Sequence, residues 1–372
     1  MMTEECLSRE ELFNLVIDSE KFEGEYFRKV MKFNNITDDL ERKKYGEIYA
    51  QSLSIINYLL VSDEKVSHYT KKTVAQKLMF DKEAKFRLNM AVLSNDSKEG
   101  KALFDYLGIG FEPLLKKATK ESMCILGTSC FELVELNDKE QYGAFVGCFS
   151  FNTDSLNQFR LYGKEDNVEG TGVSMVFRNT FFTPKSSTNT NNRLYRCIYF
   201  DFETGQVVSV GHQAEYIRTK EKDSDCKIAK WAGQPRSIIT EIKKDEEYSN
   251  EIKSIIDNVQ KALDSLKEKI KEPYIDKNIV GQLLINLQYL IKDVAFKEEQ
   301  ECRIVSIFSL RDNKVKYSED YNKLYVEAGL CNNHSIEKII FGPKATGITL
   351  FQNMLWKDKI AINCIQSLLP LA

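Results

Sequence analysis

Three short stretches of this 372-residue chain concentrate the side chains that do chemistry. The first is KEEQECR, residues 297–303. On an extended segment Glu299 and Glu301 point the same way as Arg303, with Cys302 and Ile304 on the other face. Two acids and a base on one face are costly to bury unless they are paired. The plainer reading is a solvated charge run, because Lys297 and Glu298 precede it. The second stretch is SHYT, residues 67–70, which places His68 and Thr70 at the end of a strand and just before a helix. A polar cluster at a strand end suits ligand contacts; the plainer reading of His68 is a satisfied histidine.

The third stretch, residues 149–177, reads FSFNTDSLNQFRLYGKEDNVEGTGVSMVF. An apolar strand over 147–151 leads to Asn152, Thr153 and Asp154, whose oxygens can cap a short helix over 155–162. Leu156, Phe159 and Tyr162 fall on one face of that helix. Tyr162 closes the helix beside a loop and is either a ligand contact or an aromatic core residue, and Arg160 is either a ligand contact or a surface cation. After a charged loop, Gly170 and Gly172 take backbone angles closed to other residues and let a ligand approach the main chain. A strand over 173–177 closes the unit.

Composition bounds the alternatives. The histidines are His68, His212 and His334, too few for a multi-histidine metal centre, and no Cys/His spacing suggests zinc. P-loop, GxSxG and strand-following GxGxxG motifs are missing. Fifty-two Lys plus Arg against 55 Asp plus Glu give a net charge of −3, so nothing global attracts nucleic acid or anionic membrane. Apolar runs fall short of the ~20 residues that span a bilayer, and the acidic start MMTEECLSREE lacks a signal-peptide core. Nine cysteines, several within apolar strands (Cys148, Cys197, Cys302), read as reduced core residues of a cytoplasmic protein.

The elements that must position these residues follow from periodicity. A capping box at Ser8 and Glu11 starts one helix. A second runs over 38–60, with Tyr45, Ile48, Tyr49, Leu53 and Ile56 at spacings of three and four. Residues 1–62 therefore form a helical N-terminal region, and 63–372 an α+β domain. In the latter, strands are expected over 66–70 and 86–90, helices over 71–80, 99–107 and 111–125, a turn at 94–96 and a polar loop over 183–193. Strands over 194–200 and 206–211 make a hairpin. Residues 218–227 are charged and solvated. Helices over 248–272 and 278–295 form a hairpin inserted at about 248–295 and packed on the sheet. Strands over 302–308, 323–327, 338–341 and 360–365 and a helix over 348–356 complete the chain. Irregular alternation with short turns favours α+β, with a mixed or antiparallel central sheet flanked by helices.

The order SHYT, FSFNTDSLNQFRLYG, GTGVSMVF, FKEEQECRIV, IEKIIFGP resembles the bacterial domain-of-unknown-function family 2971 from about residue 66 to 343. Phe159 stands where that family commonly has tryptophan, and Ser94-Asn95-Asp96 matches its turn without the proline. The layout also resembles ADP-ribosyltransferases of the histidine–tyrosine–glutamate kind. That resemblance implies a substrate, NAD, and a set of roles. His68 and Thr70 would hold the nicotinamide ribose, and Tyr162 or Phe159 would stack on nicotinamide. Glu299 or Glu301 would bond the ribose 2′-OH. Arg303 would orient the carboxylates or bind diphosphate, with Arg160 a further cofactor contact. The function implied is an NAD-dependent ADP-ribosyltransferase or NAD glycohydrolase, acting as a bacterial defence or toxin effector on a macromolecular acceptor or beside an operon partner. Two other classes stand beside it: a non-catalytic ligand- or partner-binding regulatory module, and a metal-dependent nuclease using Asp154, Glu299 and Glu301. The first requires His68, Tyr162 and a glutamate in one cleft. The nuclease requires its three acids to converge.

Overall fold

The computed structural model describes residues 22–62, 64–91, 101–109, 133–137, 140–182, 192–213, 216–220, 239–244, 246–319, 322–331 and 334–370. The helix expected from Ser8, the turn at 94–96, the helix over 111–125 and most of the loop over 183–193 and of the charged segment 218–227 lie outside the described residues.

Helices α1 (Phe22–Phe33) and α2 (Asp39–Tyr58) come first, then β1 (Val66–Thr70), α3 (Lys72–Phe80), β2 (Lys85–Met90), α4 (Lys101–Tyr106), β3 (Leu133–Asn137) and β4 (Glu140–Ser150). The middle holds α5 (Leu156–Leu161), β5 (Val173–Phe177), β6 (Leu194–Arg196), β7 (Ile198–Asp201), β8 (Gln206–Val210), β9 (Tyr216–Lys220) and β10 (Ile239–Lys244). The last third is α6 (Glu246–Ile270), α7 (Lys277–Leu283), α8 (Ile285–Gln288), β11 (Ile291–Asp293), β12 (Glu301–Ser309), β13 (Lys316–Ser318), β14 (Lys323–Leu330), β15 (Ile336–Phe341), α9 (Ile348–Lys357) and β16 (Asn363–Gln366). The fold is α+β, as expected, with a mixed sheet of eleven strands, a three-stranded sheet β11-β7-β8 and the pair β9-β10.

Strand β4 organises the large sheet. β12 runs antiparallel along it for nine pairs, from Glu301 opposite Ser150 to Ser309 opposite Tyr142. Its other edge is shared by β3, β2 and β1. β1 pairs with β4 at Ser67–Ser150 alone and otherwise follows β5 from Val66–Phe177 to Thr70–Val173. The sheet therefore splits between β1 and β4 just past Ser67.

Alternation along β4 sends Phe145 and Phe149 into one core and Tyr142 and Ala144 into another. The second core is roofed by helices. α2, capped by the Asp38 carboxylate on the Glu41 amide, buries Tyr45, Ile48, Tyr49 and Ile55. α6 lays Val259, Leu263, Leu266 and Ile270 in the same cluster. Each such buried side chain contributes roughly 1.5–3 kcal/mol of transfer free energy. The second arm expected over 278–295 is not one helix. It breaks into α7, α8 and then β11, which pairs in parallel with β7. The strand expected over 194–200 also divides, at Cys197. β6 joins β12, whereas β7 joins β8 through the expected turn at 201–205. Among the described residues no helix is long and apolar enough to cross a membrane.

Candidate active site

A cavity of about 280 Å³ opens at the split between β1 and β4. Ser67, His68 and Tyr69 of β1, Cys148 to Ser150 of β4, and Gln158 and Tyr162 from α5 and its end form one side. Lys292, Phe296, Glu299, Glu301 and Arg303 form the other. Five sequence-derived candidates, His68, Tyr162, Glu299, Glu301 and Arg303, thus line a single hollow.

The floor is a buried charge network. Glu301 is 6 % exposed and Arg303 3 %. Arg303 grips Glu301 with two donors, Nε to Oε1 at 2.9 Å and Nη2 to Oε2 at 3.0 Å, and gives Nη1 to the Tyr289 carbonyl at 2.7 Å. Lys292 donates Nζ to Glu301 Oε2 at 2.6 Å and also to Glu299 Oε2. Burial alone would raise the pKa of Glu301, but the Arg303 and Lys292 charges outweigh it and hold the carboxyl well below the usual range. Burial likewise disfavours the Lys292 ammonium, and Glu301 and Glu299 keep it charged. The solvated reading of this run is thereby corrected. Two acids and two bases neutralise one another out of water.

The two glutamates differ in what they have left to offer. Glu301 accepts from Arg303 twice and from Lys292, which takes up three of the roughly four acceptor positions of a carboxylate and both of its oxygens. Glu299 accepts from Lys292 and, at 3.2 Å, from the Tyr162 hydroxyl, which leaves about half of its capacity. It is not on the strand, as an extended reading required. It ends a 3₁₀ turn (Val294–Glu299), and Gln300 follows with φ 44° in the left-handed region. That conformation is uncommon for a non-glycine residue and is held from outside. The Gln300 carbonyl accepts from Phe151 N at 2.8 Å, and its side-chain oxygen from His212 N at 3.0 Å. Ser150 Oγ further fixes the turn by donating to the Glu299 carbonyl at 2.7 Å.

His68 meets the Cys148 carbonyl through Nδ1 at 2.9 Å, and its ring lies edge-on to Phe86 with centroids 4.9 Å apart. Burial lowers its pKa, favouring the neutral ring. A carbonyl only accepts, so Nδ1 carries the proton and Nε2 is left as an acceptor. Burial, then the charges of Glu299 and Glu301, push the Tyr162 hydroxyl well up, so it is a donor at neutral pH.

The other candidates lie elsewhere. Phe159 is fully buried with Tyr69, Val176 and Ile340, so it is a core residue and not a stacking ring. Arg160 is exposed, 3.8 Å from Glu169. Thr70 ends β1 beneath the 163–172 loop, where the position of a Cβ on Gly163 would fall 2.3 Å from its carbonyl oxygen. Gly170 and Gly172 do not open the main chain to a ligand. Their carbonyls accept from the amides of Lys344 and Gly342 at 2.9 and 2.8 Å, backbone against backbone. The expected cap of α5 is also replaced: Ser155 is the N-cap, and its amide donates to the Tyr69 hydroxyl at 2.9 Å. Asp154 is exposed and does not line the cavity, and no group of three or more His, Cys, Asp or Glu stands within metal-holding reach among the described residues. Cys148, read as a core residue, is exposed, whereas Cys197, Cys302, Cys331 and Cys364 are buried.

Sequence reasoning missed Lys292, which lay inside an expected helix. The available signal was chemical: acids that pattern as buried require a cation nearby. No family model, curated protein or solved structure matches the chain.

Proposed function

We propose that the cavity cleaves the nicotinamide–ribose bond of NAD, as a glycohydrolase or as an ADP-ribosyltransferase. The observation that carries this reading is the meeting of His68, Tyr162 and Glu299, separated by 231 residues end to end (299 − 68), in one hollow at a sheet split. About 280 Å³ is near the low end of the roughly 300–1,000 Å³ of ligand pockets, so the nicotinamide riboside end occupies it and the remainder of the dinucleotide lies outside. Glu299 is the acid that meets the ribose, because Glu301 is buried with both oxygens held by Arg303 and Lys292. Its carboxylate takes the 2′-OH and stabilises the positive charge that grows on the ribose as the C1′–N bond breaks and its electrons leave with nicotinamide. Water, or a nucleophile of a macromolecular acceptor, then bonds to C1′ and loses a proton. His68 Nε2 and the Tyr162 ring hold the ribose and the nicotinamide. The proposed setting is that of a bacterial defence or toxin effector. Release of nicotinamide from NAD by the wild type, and its loss in Glu299→Gln, is the test.

A second reading is a non-catalytic module that binds a small ligand in this cavity. It is favoured by the pairing of both carboxylates with Lys292 and Arg303, which tempers their field. Binding of NAD without turnover would select it.

A further inference from the structure

A second cavity, about 600 Å³, lies farther along β12, beyond the residues that hold the first. Val305 and Ile307 of its wall continue the face of the strand that begins with Glu301 and Arg303. Its volume sits in the middle of the range of ligand pockets. Leu53 and Ile56 of α2 and Leu290 give an aliphatic wall, and the half-buried Tyr195 adds an aromatic ring, whereas the Tyr142 ring is already covered by Tyr26 and Lys29. Glu25 and Lys29 pair with each other at 3.1 Å, and Lys29 donates to the Tyr142 hydroxyl at 2.8 Å, so these two charges are spent internally. At the turn that follows β12, Arg311 and Lys314 line the same cavity and make no ion pair among the described residues. The Asp312 carboxylate beside them accepts from the Lys314 backbone amide at 2.9 Å. The rim therefore carries an excess of one positive charge, with a guanidinium whose fork suits phosphate oxygens.

We infer that this cavity is a nucleoside-phosphate site, with the base against Tyr195 and the aliphatic wall and the phosphates at Arg311 and Lys314. Flat heterocycles suit such a wall, and the serine and asparagine groups that also line it, Ser309 and Asn286, supply polar partners for a sugar or a base edge. The site is independent of NAD cleavage in the first cavity.

The test is fluorescence titration of the full chain with N-methylanthraniloyl-ATP, competed with ATP, GTP, CTP and UTP in turn. Saturable binding displaced by at least one of the four is expected. Arg311 and Lys314 are on a surface turn, and their double replacement by Ala should weaken the binding at least about tenfold without change in melting temperature. Glu299→Gln should bind as the wild type does. Photolysis with 8-azido-ATP, read by peptide mapping, should label the segment containing Tyr195. No saturable binding, binding indifferent to the double variant, or labelling confined to residues around His68 and Tyr162 would each overturn the assignment.

Discussion

The Lys292 ammonium and the Glu301 carboxylate meet at 2.6 Å with side chains each 8 % exposed, so each is the other's substitute for water. Removing Lys292 leaves Glu299 and Glu301 with Arg303 as the remaining buried cation, an excess of one negative charge out of water. Lys292→Met is expected to lower stability by about 3–5 kcal/mol, and Lys292→Met with Glu301→Leu to recover little of that loss, because Arg303 then loses the carboxylate it grips with two donors. Urea unfolding of the three proteins measures it. A cost below about 1 kcal/mol for the single variant would mean that water screens the pair.

The same network sets a pH dependence whose sign is fixed. Glu301 has its pKa lowered on folding, so its contribution is complete above the unfolded value near ~4.3 and is lost as pH falls toward the folded one. Lys292 has its pKa raised, so its contribution is complete below the unfolded value near ~10.4 and is lost only as pH rises beyond it. The stability difference between wild type and Glu301→Gln should therefore be flat from about pH 5 to 9 and shrink below about pH 4. A difference that shrinks between pH 5 and 7 would contradict the assignment of the depressed group.

His68 should be neutral at pH 7 with its proton on Nδ1, since burial lowers its pKa and the Cys148 carbonyl accepts. Long-range ¹H–¹⁵N spectra should show a protonated Nδ1 and an unprotonated Nε2, a pattern lost in unfolded chains. An Nε2-protonated ring would remove the acceptor that the ribose contact requires.

Cys148 is the exposed thiol among the five described cysteines and it lines the cavity. Brief N-ethylmaleimide treatment of the native protein should label the peptide containing Cys148 well ahead of those containing Cys197, Cys302, Cys331 and Cys364. Substrate in the cavity should protect it. Equal labelling of all five would contradict the burial of Cys197, Cys302, Cys331 and Cys364.

The sequence made the cavity partly legible, and the limits have physical causes. His68, Glu301 and Arg303 were readable because strand ends and period-two alternation place such residues directly. Phe159 and Tyr162 were read on one helical face, yet α5 stops at Leu161 and Tyr162 is an extended C-cap. That single backbone change sends Phe159 into the core and Tyr162 to Glu299. Lys292 was hidden because the apolar run after residue 278 has helical spacing, and its break into β11 depends on pairing with β7, a contact nearly a hundred residues away in the chain. The glycines at 170 and 172 were legible as special positions but not as to what comes close, since another backbone and a ligand ask for the same absence of a side chain.

The most direct measurement is nicotinamide release from NAD by wild type, Glu299→Gln and Glu301→Gln, each checked for its melting temperature. The expected result is turnover by the wild type and a loss of about 100-fold or more in Glu299→Gln with the fold intact. Glu301→Gln is expected to melt lower, because it leaves Lys292 and Arg303 in excess. No release by the wild type, with NAD causing no shift in its melting temperature, would contradict NAD chemistry in this cavity. Full activity in Glu299→Gln would contradict the role given to that carboxylate.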